Sequence, residues 1–89
     1  MSRYRKVTLR ERELTSPKEA HELLAQELEF PDHYGANLDA LEDCLGDVSE
    51  PTRIVIKRSR SDPKPWFDGF VQVIVESAQR SCFLGCTIR

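Results

Sequence analysis

The strongest constraint on the fold is that three short strand-forming segments are separated along the chain by segments with helical periodicity. The strand-forming segments are residues 4–9, 53–57 and 83–88. The middle one is a continuous apolar run between two cations, a pattern typical of a strand covered on both faces. Parallel strands need a long crossover, usually a helix, between them. The order β-α-α-β-α-β therefore predicts an α/β fold with a small parallel sheet and helices packed on it.

The first helix is predicted from the signals at its ends. Ser16 is a suitable N-cap, Pro17 stands at the first helical position, and Glu19 completes a capping box. Phe30-Pro31 is expected to end the helix. Apolar residues with helical spacing form its inward face: Ala20, Leu23, Leu24 and Leu28.

Two further helices are predicted downstream. The second follows a loop over residues 31–36, in which Gly35 is expected to adopt a positive φ. Asn37 is a good N-cap for this helix, and Gly46 is placed to end it. Its inward face is predicted to carry Leu38, Leu41 and Leu45. The third helix is marked by Trp66, Phe67, Phe70, Val73, Ile74 and Ala78.

Length and composition favour one globular domain over residues 1–89. The chain is 39% hydrophobic and 31% charged, which is within the range of a folded protein. No apolar run approaches the roughly 20 residues needed to cross a bilayer, and no apolar stretch follows the basic N-terminus. Three cysteines, an odd number, are expected to be reduced thiols. We therefore expect a cytoplasmic protein with no membrane partner.

The carboxylates are concentrated in the middle of the chain, although the net charge is only −2. No Lys or Arg occurs between Lys18 and Arg53, and this stretch carries ten carboxylates. Residues 1–18 hold six cations and two acids, and residues 53–89 hold seven cations and three acids. This segregation predicts a surface that attracts a basic partner and repels nucleic acid.

Part of the acidic block falls on one side of the second helix. Asp39 and Asp43 are four residues apart, so their Cβ atoms are expected about 5–6 Å apart, and Glu42 borders them. Like charges at this spacing repel by only a few tenths of a kcal/mol, so the pattern taken alone favours a solvated polar face over a binding site. The preceding His33 and Tyr34 are side chains suited to an interface, although an exposed histidine and a core tyrosine are ordinary alternatives.

The segment from Phe30 to Leu45 resembles the signature segment of the barstar family, the intracellular inhibitors of barnase-type guanyl ribonucleases. The pieces that match at the same spacing are Tyr34-Gly35, Asn37-Leu38-Asp39-Ala40-Leu41 and Asp43-Cys44-Leu45. The resemblance implies a three-stranded parallel sheet with flanking helices. It also implies an inhibitor rather than an enzyme, without a cofactor, monomeric when free, whose partner is a secreted guanyl-type ribonuclease.

The resemblance further implies that the loop and the second helix occlude the active site of the nuclease. Asp43 would be the main mimic of the RNA phosphate, with Asp39 as its partner one turn earlier. Glu76, on the third helix, matches a family contact residue. The partner-binding residues implied in this way are His33, Tyr34, Gly35, Asn37, Asp39, Glu42, Asp43 and Glu76.

Three positions depart from the family pattern. His33 stands where the family has an aromatic Tyr, Glu42 where Trp is usual, and Val48 where barstar has an exposed loop Trp. These changes leave open a second interpretation, a barstar-like interaction module bound to a basic partner other than a nuclease.

Other classes of function fit the residues less well. Asp39, Asp43 and His33 could serve acid–base chemistry, but a convex helix face offers no pocket and the stretch lacks the cations that phosphoryl transfer needs. For metal binding, the carboxylates lack calcium-loop spacing, and Cys82 and Cys86 lack the second pair of a zinc site.

The remaining cysteines and cations have simpler interpretations. Cys82 and Cys86 are expected on a strand, partly in the core, and Cys44 is expected to be a small buried hydrophobe. A basic loop carries no aromatic residues between its cations and is interpreted as solvated surface rather than a nucleic-acid site. Its cations are Lys57, Arg58, Arg60 and Lys64.

Overall fold

The computed structural model describes residues 5–89 and contains one parallel sheet of three strands in the order β1-β2-β3. This confirms the predicted α/β fold, and Tyr4, which was included in the first predicted strand, lies outside the described residues. A short 3-10 helix over Glu11–Glu13, absent from the prediction, follows β1. The elements are β1 (Arg5–Arg10), α1 (Pro17–Leu28), α2 (Leu38–Gly46), β2 (Thr52–Lys57), α3 (Phe67–Arg80) and β3 (Leu84–Ile88).

The three helices pack on one face of the sheet. Side chains alternate between the two faces of a strand, and the core that includes residues of all three helices takes Val7 and Leu9 from β1 and Leu84 from β3. From β2 it takes Ile54 and Ile56 but not Val55, which is buried on the opposite face. The helices therefore cover only one face of β2, although its apolar run has the pattern of a strand covered on both faces.

The ends of α1 follow the predicted chemistry with two shifts. Ser16 Oγ accepts a hydrogen bond from the Glu19 N–H at 3.3 Å, as expected of an N-cap. In return the Glu19 carboxylate accepts a hydrogen bond from the Thr15 N–H at 2.9 Å, whereas a capping box would have it accept from the Ser16 N–H. The helix ends at Leu28, because Glu29 adopts the left-handed conformation, with φ 56°, that commonly terminates helices.

The start of α2 lies against α3. Leu38, predicted to face inward, is 38% exposed, whereas Leu41 and Leu45 are fully buried. A Cβ placed on Gly69 of α3 would lie 3.1 Å from Leu38 Cδ1, so the missing side chain of this glycine allows the approach.

Trp66 and Phe67 pack edge to face, with ring centroids 5.7 Å apart, against the same core.

The basic loop after β2 is held by a buried carboxylate, and its interpretation as solvated surface is wrong for Lys64, whose side chain is only 14% exposed. The Glu11 side chain is completely buried and accepts hydrogen bonds from Arg58 Nε at 3.1 Å, from the Ser59 N–H at 2.9 Å and from the Lys64 N–H at 2.6 Å. The Lys64 ammonium donates to the Glu11 carbonyl at 2.8 Å. Burial raises the pKa of Glu11, but these donors outweigh burial and hold the pKa below its usual value.

The three cysteines are free thiols. Cys86 lies on β3, half-buried, and Cys44 lies on the inner side of α2, also half-buried; burial raises the pKa of both thiols. Cys82 is exposed and precedes β3, which begins at Leu84, so the expectation that it is borne by the strand is wrong.

Candidate functional site

The loop before α2 is fixed to the core by Tyr34. Its ring packs on Phe30, with centroids 4.9 Å apart, and its hydroxyl lies 2.5 Å from Nδ1 of the buried His21. Burial, and next the neighbouring Cys44, raise the pKa of Tyr34 to about 12. Burial lowers the pKa of His21, so both groups are neutral at pH 7 and share this hydrogen bond. Tyr34 thus holds the loop in place.

Gly35 and Asn37 shape the entry into α2. The expected positive φ of Gly35 is wrong: Ala36 has the positive value, 51°, and Gly35 does not. A Cβ on Gly35 would lie 3.2 Å from Asn37 Nδ2, which donates to the Gly35 carbonyl at 3.4 Å, so glycine leaves room for the cap. Asn37 Oδ1 in turn accepts from the Ala40 N–H at 2.8 Å. Asn37 therefore fixes the first turn of α2.

Asp39 and Asp43 are exposed on the side of α2 turned away from the core. They are one helical turn apart, and no cation of residues 5–89 comes within 4.0 Å of either carboxylate. The helix dipole favours Asp39, in the first turn, and gives no such help to Asp43. The exposed His33 precedes this helix on the loop. The two carboxylates are thus available to a cationic partner.

Glu42, on the same helix, is engaged in an ion pair. Its Oε1 accepts from Arg80 Nη1, at the end of α3, at 3.0 Å, and both side chains are largely exposed. Arg80 is the cation that folding brings beside the acidic helix, although it lies far away in the sequence. The negative charge that Glu42 offers a partner is reduced accordingly.

Glu76 lies on the stripe of α3 that borders α2. At about 100° per residue, Glu76 and Arg80 both fall within about 20° of Gly69 around the helix. Gly69 approaches Leu38 and Arg80 pairs with Glu42, so this stripe adjoins α2 along its length. The exposed Glu76 therefore belongs to the same side of the molecule as Asp39 and Asp43.

A groove of about 590 Å³ extends this surface between the C-terminal ends of α2 and α3. Glu42 and Asp43 line one wall, and Arg80 and Phe83 line the other. Sequence reasoning did not place Arg80 or Phe83 here, although the four-residue spacing from Glu76 to Arg80 is a signal that could have placed Arg80. Phe83, 42% exposed, adds an apolar contact to an otherwise charged surface.

Within residues 5–89 no group of three or more His, Cys, Asp or Glu side chains is arranged to hold a metal ion. The helices of the same part of the chain are too short or too polar to cross a bilayer. The acidic groups project from a helix that is capped by Asn37 and follows a loop anchored by Tyr34.

The buried His21 predicts a pH dependence of stability. Because folding lowers its pKa below the ordinary 6.5, the stabilising neutral form is complete above pH 6.5 and is lost as the pH falls through the folded-state value. We expect the free energy of unfolding to fall from about pH 7.5 to 5.5, and to fall less in His21→Gln. Urea unfolding at several pH values measures the free energy of unfolding of the wild type and of His21→Gln. The control His33→Gln, at an exposed position, should keep the wild-type slope; equal slopes in His21→Gln and wild type would contradict the assignment.

Comparison with known proteins agrees with this architecture. The family described as Barstar (barnase inhibitor) matches residues 4–81. A protein of Bacillus subtilis (strain 168) with the name "Putative ribonuclease inhibitor YrdF" is 37% identical over 79 residues, a match that covers 84% of this chain and 87% of that protein. The match to the family includes β1, all three helices and β2. On these grounds the chain belongs to the barstar family.

Proposed function

We propose that this protein inhibits a barnase-type guanyl ribonuclease by placing α2 and the loop before it in the active site of the enzyme. The observation that carries the proposal is the pair of exposed carboxylates, Asp39 and Asp43, one turn apart on a capped helix. Membership of the barstar family and the name of the Bacillus subtilis relative support an inhibitor of this class. In this role Asp43 replaces an RNA phosphate and Asp39 stands one turn before it.

The electrostatics of the two partners are complementary. A ribonuclease site is cationic because it holds a phosphodiester, so unpaired carboxylates on a projecting helix satisfy the same groups. The acidic segment between Lys18 and Arg53 adds a longer-range field. Such a field can raise association rates to about 10⁸–10⁹ M⁻¹s⁻¹ at low salt.

The site is ordered before it meets a partner. Tyr34 anchors the loop through His21, and Asn37 caps the helix, so binding has little loop disorder to remove. Immobilising a flexible side chain or loop on binding costs about 0.5–1.5 kcal/mol per side chain. A prefolded acidic helix avoids most of this cost, which favours tight inhibition.

Two features favour a target that differs from the usual one of the family. His33 gives the loop a smaller, polar ring, and the ion pair of Glu42 with Arg80 leaves a charged position where an aromatic side chain is usual. A basic partner other than a nuclease is therefore the second candidate. It would use the same carboxylates and show the same salt dependence, without any effect on RNA cleavage.

Titration of a purified guanyl-type ribonuclease with the chain tests the proposal. RNA cleavage should fall linearly and reach its minimum at one chain per enzyme, since a monomer occludes one active site. The association rate should fall steeply with added salt. Full cleavage activity at a large excess of the chain would contradict the proposal, and a salt-dependent complex with a different basic protein would then support the second candidate.

A further inference from the structure

The face of the sheet away from the helices is a regular array of cations. Alternation along the strands places Lys6, Thr8 and Arg10 on it from β1 and Arg53, Val55 and Lys57 from β2. From β3 it receives Gly85 and Thr87, and the ladder continues to Arg89, whose N–H donates to the Ile56 carbonyl at 2.8 Å. We call the five cations of this array the basic sheet face: Lys6, Arg10, Arg53, Lys57 and Arg89.

The register places these cations directly beside one another. Lys6 is opposite Arg53, and Arg10 is opposite Lys57. Because Ile56 is opposite Ile88, Arg89 continues the row beside Lys57. Neighbouring strands are about 4.8 Å apart, so three cations lie within roughly 10 Å. Like charges directly opposite each other destabilise a sheet, so the array has an energetic cost in the protein alone.

Little on this face offsets that cost. None of the positions on this face from residue 6 onward carries a carboxylate. Arg10 does have an acidic neighbour outside the face, since its Nε lies 3.8 Å from Glu13 Oε2. Arg53 Nη1 donates to the neutral Thr87 hydroxyl at 3.0 Å. No helix of residues 5–89 covers the face, and its one aliphatic side chain, Val55, is only 5% exposed. The face is therefore cationic and polar, with no apolar centre.

We propose that the basic sheet face binds the phosphate backbone of single-stranded RNA without sequence preference. Lys and Arg neutralise phosphates, and the hydroxyls of Thr8 and Thr87 can bond phosphate or ribose oxygens. Over residues 6–89 the face has no aromatic side chain on which bases could stack, so binding would not depend on their identity. A protein partner fits less well, since protein interfaces centre on apolar and aromatic side chains.

This inference revises the expectation that the chain repels nucleic acid. That expectation came from the acidic segment, whose carboxylates on α2 lie on the helix side of the sheet, whereas the basic sheet face lies on the other side. The two signs of charge that are segregated in the sequence are thus segregated on opposite sides of the fold. RNA binding on one side leaves the acidic helix free for its own partner.

Fluorescence anisotropy of a labelled oligouridylate of about 12 nucleotides, titrated with the full chain, tests the inference. If three to five phosphates are neutralised, the logarithm of the association constant should fall with the logarithm of salt with a slope of about −2 to −3.5. Affinity should then drop about 20- to 130-fold between roughly 50 and 200 mM NaCl. Lys57→Gln should reduce the slope by about 0.7, and Arg10→Gln with Lys57→Gln by about 1.4.

The matched control is Lys18→Gln, which removes the same charge from an exposed position on α1. It should leave both affinity and slope unchanged. No anisotropy change at low salt, or equal weakening by Lys18→Gln and Lys57→Gln, would overturn the inference. So would binding to vesicles containing phosphatidylserine without binding to the oligonucleotide, which would identify the partner as a membrane surface. Inhibition of a ribonuclease should survive Lys57→Gln, so the two proposals fail separately.

Discussion

Asp43→Ala is expected to weaken binding to a guanyl-type ribonuclease by about 2–5 kcal/mol, which is about 30-fold or more in the dissociation constant. The carboxylate is exposed in the free protein and has no cationic partner within residues 5–89, so its charge is available to the enzyme. Removing it would leave cationic groups of the nuclease buried and unpaired, and most of the loss arises there. Titration of RNA cleavage at fixed enzyme concentration gives the inhibition constant directly.

The neighbouring carboxylates supply graded controls for this measurement. Glu42→Ala should cost less than Asp43→Ala, because Arg80 already neutralises part of the charge of Glu42. Glu27→Ala removes an exposed carboxylate from α1, and its effect should be small. Glu29 is a poorer control, since its carboxylate pairs with Arg5 at 2.9 Å. Equal inhibition constants for the Asp43 and Glu27 variants would exclude α2 as the contact.

Folding should not be affected by Asp43→Ala. The side chain is exposed and makes no ion pair with another residue of the described chain, and alanine has the higher helix propensity. A thermal unfolding midpoint close to that of the wild type would therefore attribute a loss of inhibition to the interface itself. We therefore expect the Asp43 carboxylate to contribute to binding rather than to the stability of the free protein.

The helix caps, the buried face of α2 and the parallel sheet could be predicted, because neighbouring residues or the order of the elements determine them. Ser16, Asn37 and the leucine spacing of α2 are signals within a few residues, and the structure has both caps where they were expected. The parallel sheet follows from the order of elements alone, since strands joined by helices run in the same direction. The exposed positions of Asp39 and Asp43 follow from the inward positions of Leu41 and Leu45 on the same helix.

The features that could not be predicted depend on contacts between distant parts of the chain. Arg80 reaches Glu42 across 38 positions, and Lys64 reaches Glu11 across 53, so no local pattern reveals either pair. The apolar run of β2 has the composition of a strand covered on both faces. Its sequence does not reveal that all three helices pack on the same face of the sheet and leave the opposite face without a helix. Val55 is buried on that face although it does not belong to the core cluster.

The charges of this protein have two distinct uses in the structure. On α2 and α3 the carboxylates of Asp39, Asp43 and Glu76 are exposed, and we propose that they bind a partner. The Glu11 carboxylate is completely buried and stabilises the fold, because it accepts hydrogen bonds from the loop after β2. This buried carboxylate lies outside the acidic segment of the sequence.

Glu11→Gln is expected to lower the free energy of unfolding by about 3 kcal/mol, because the substitution breaks a buried, charged hydrogen-bond cluster. Both carboxylate oxygens accept bonds, one from Arg58 and Ser59 and the other from Lys64. The amide of glutamine must direct its NH₂ at one of these sets of donors, so bonds are lost whichever way it points. For a domain of this size the loss corresponds to a fall of about 12–24 °C in the unfolding midpoint.

Glu13→Gln is the matched control, since it removes the same charge from the same 3-10 helix at a side chain that is 70% exposed. Surface ion pairs contribute about 0–1 kcal/mol, so this variant should unfold close to the wild type.

The folded-state pKa of Glu11 is below its usual 4.5, so its stabilisation is complete above pH 4.5 and is lost as the pH falls through the folded-state value. The wild type and Glu11→Gln should therefore converge in stability on acidification, as followed by urea unfolding from neutral to acid pH. A gap between them that stays constant over the whole acid range would assign the effect to altered packing rather than to the charge of Glu11.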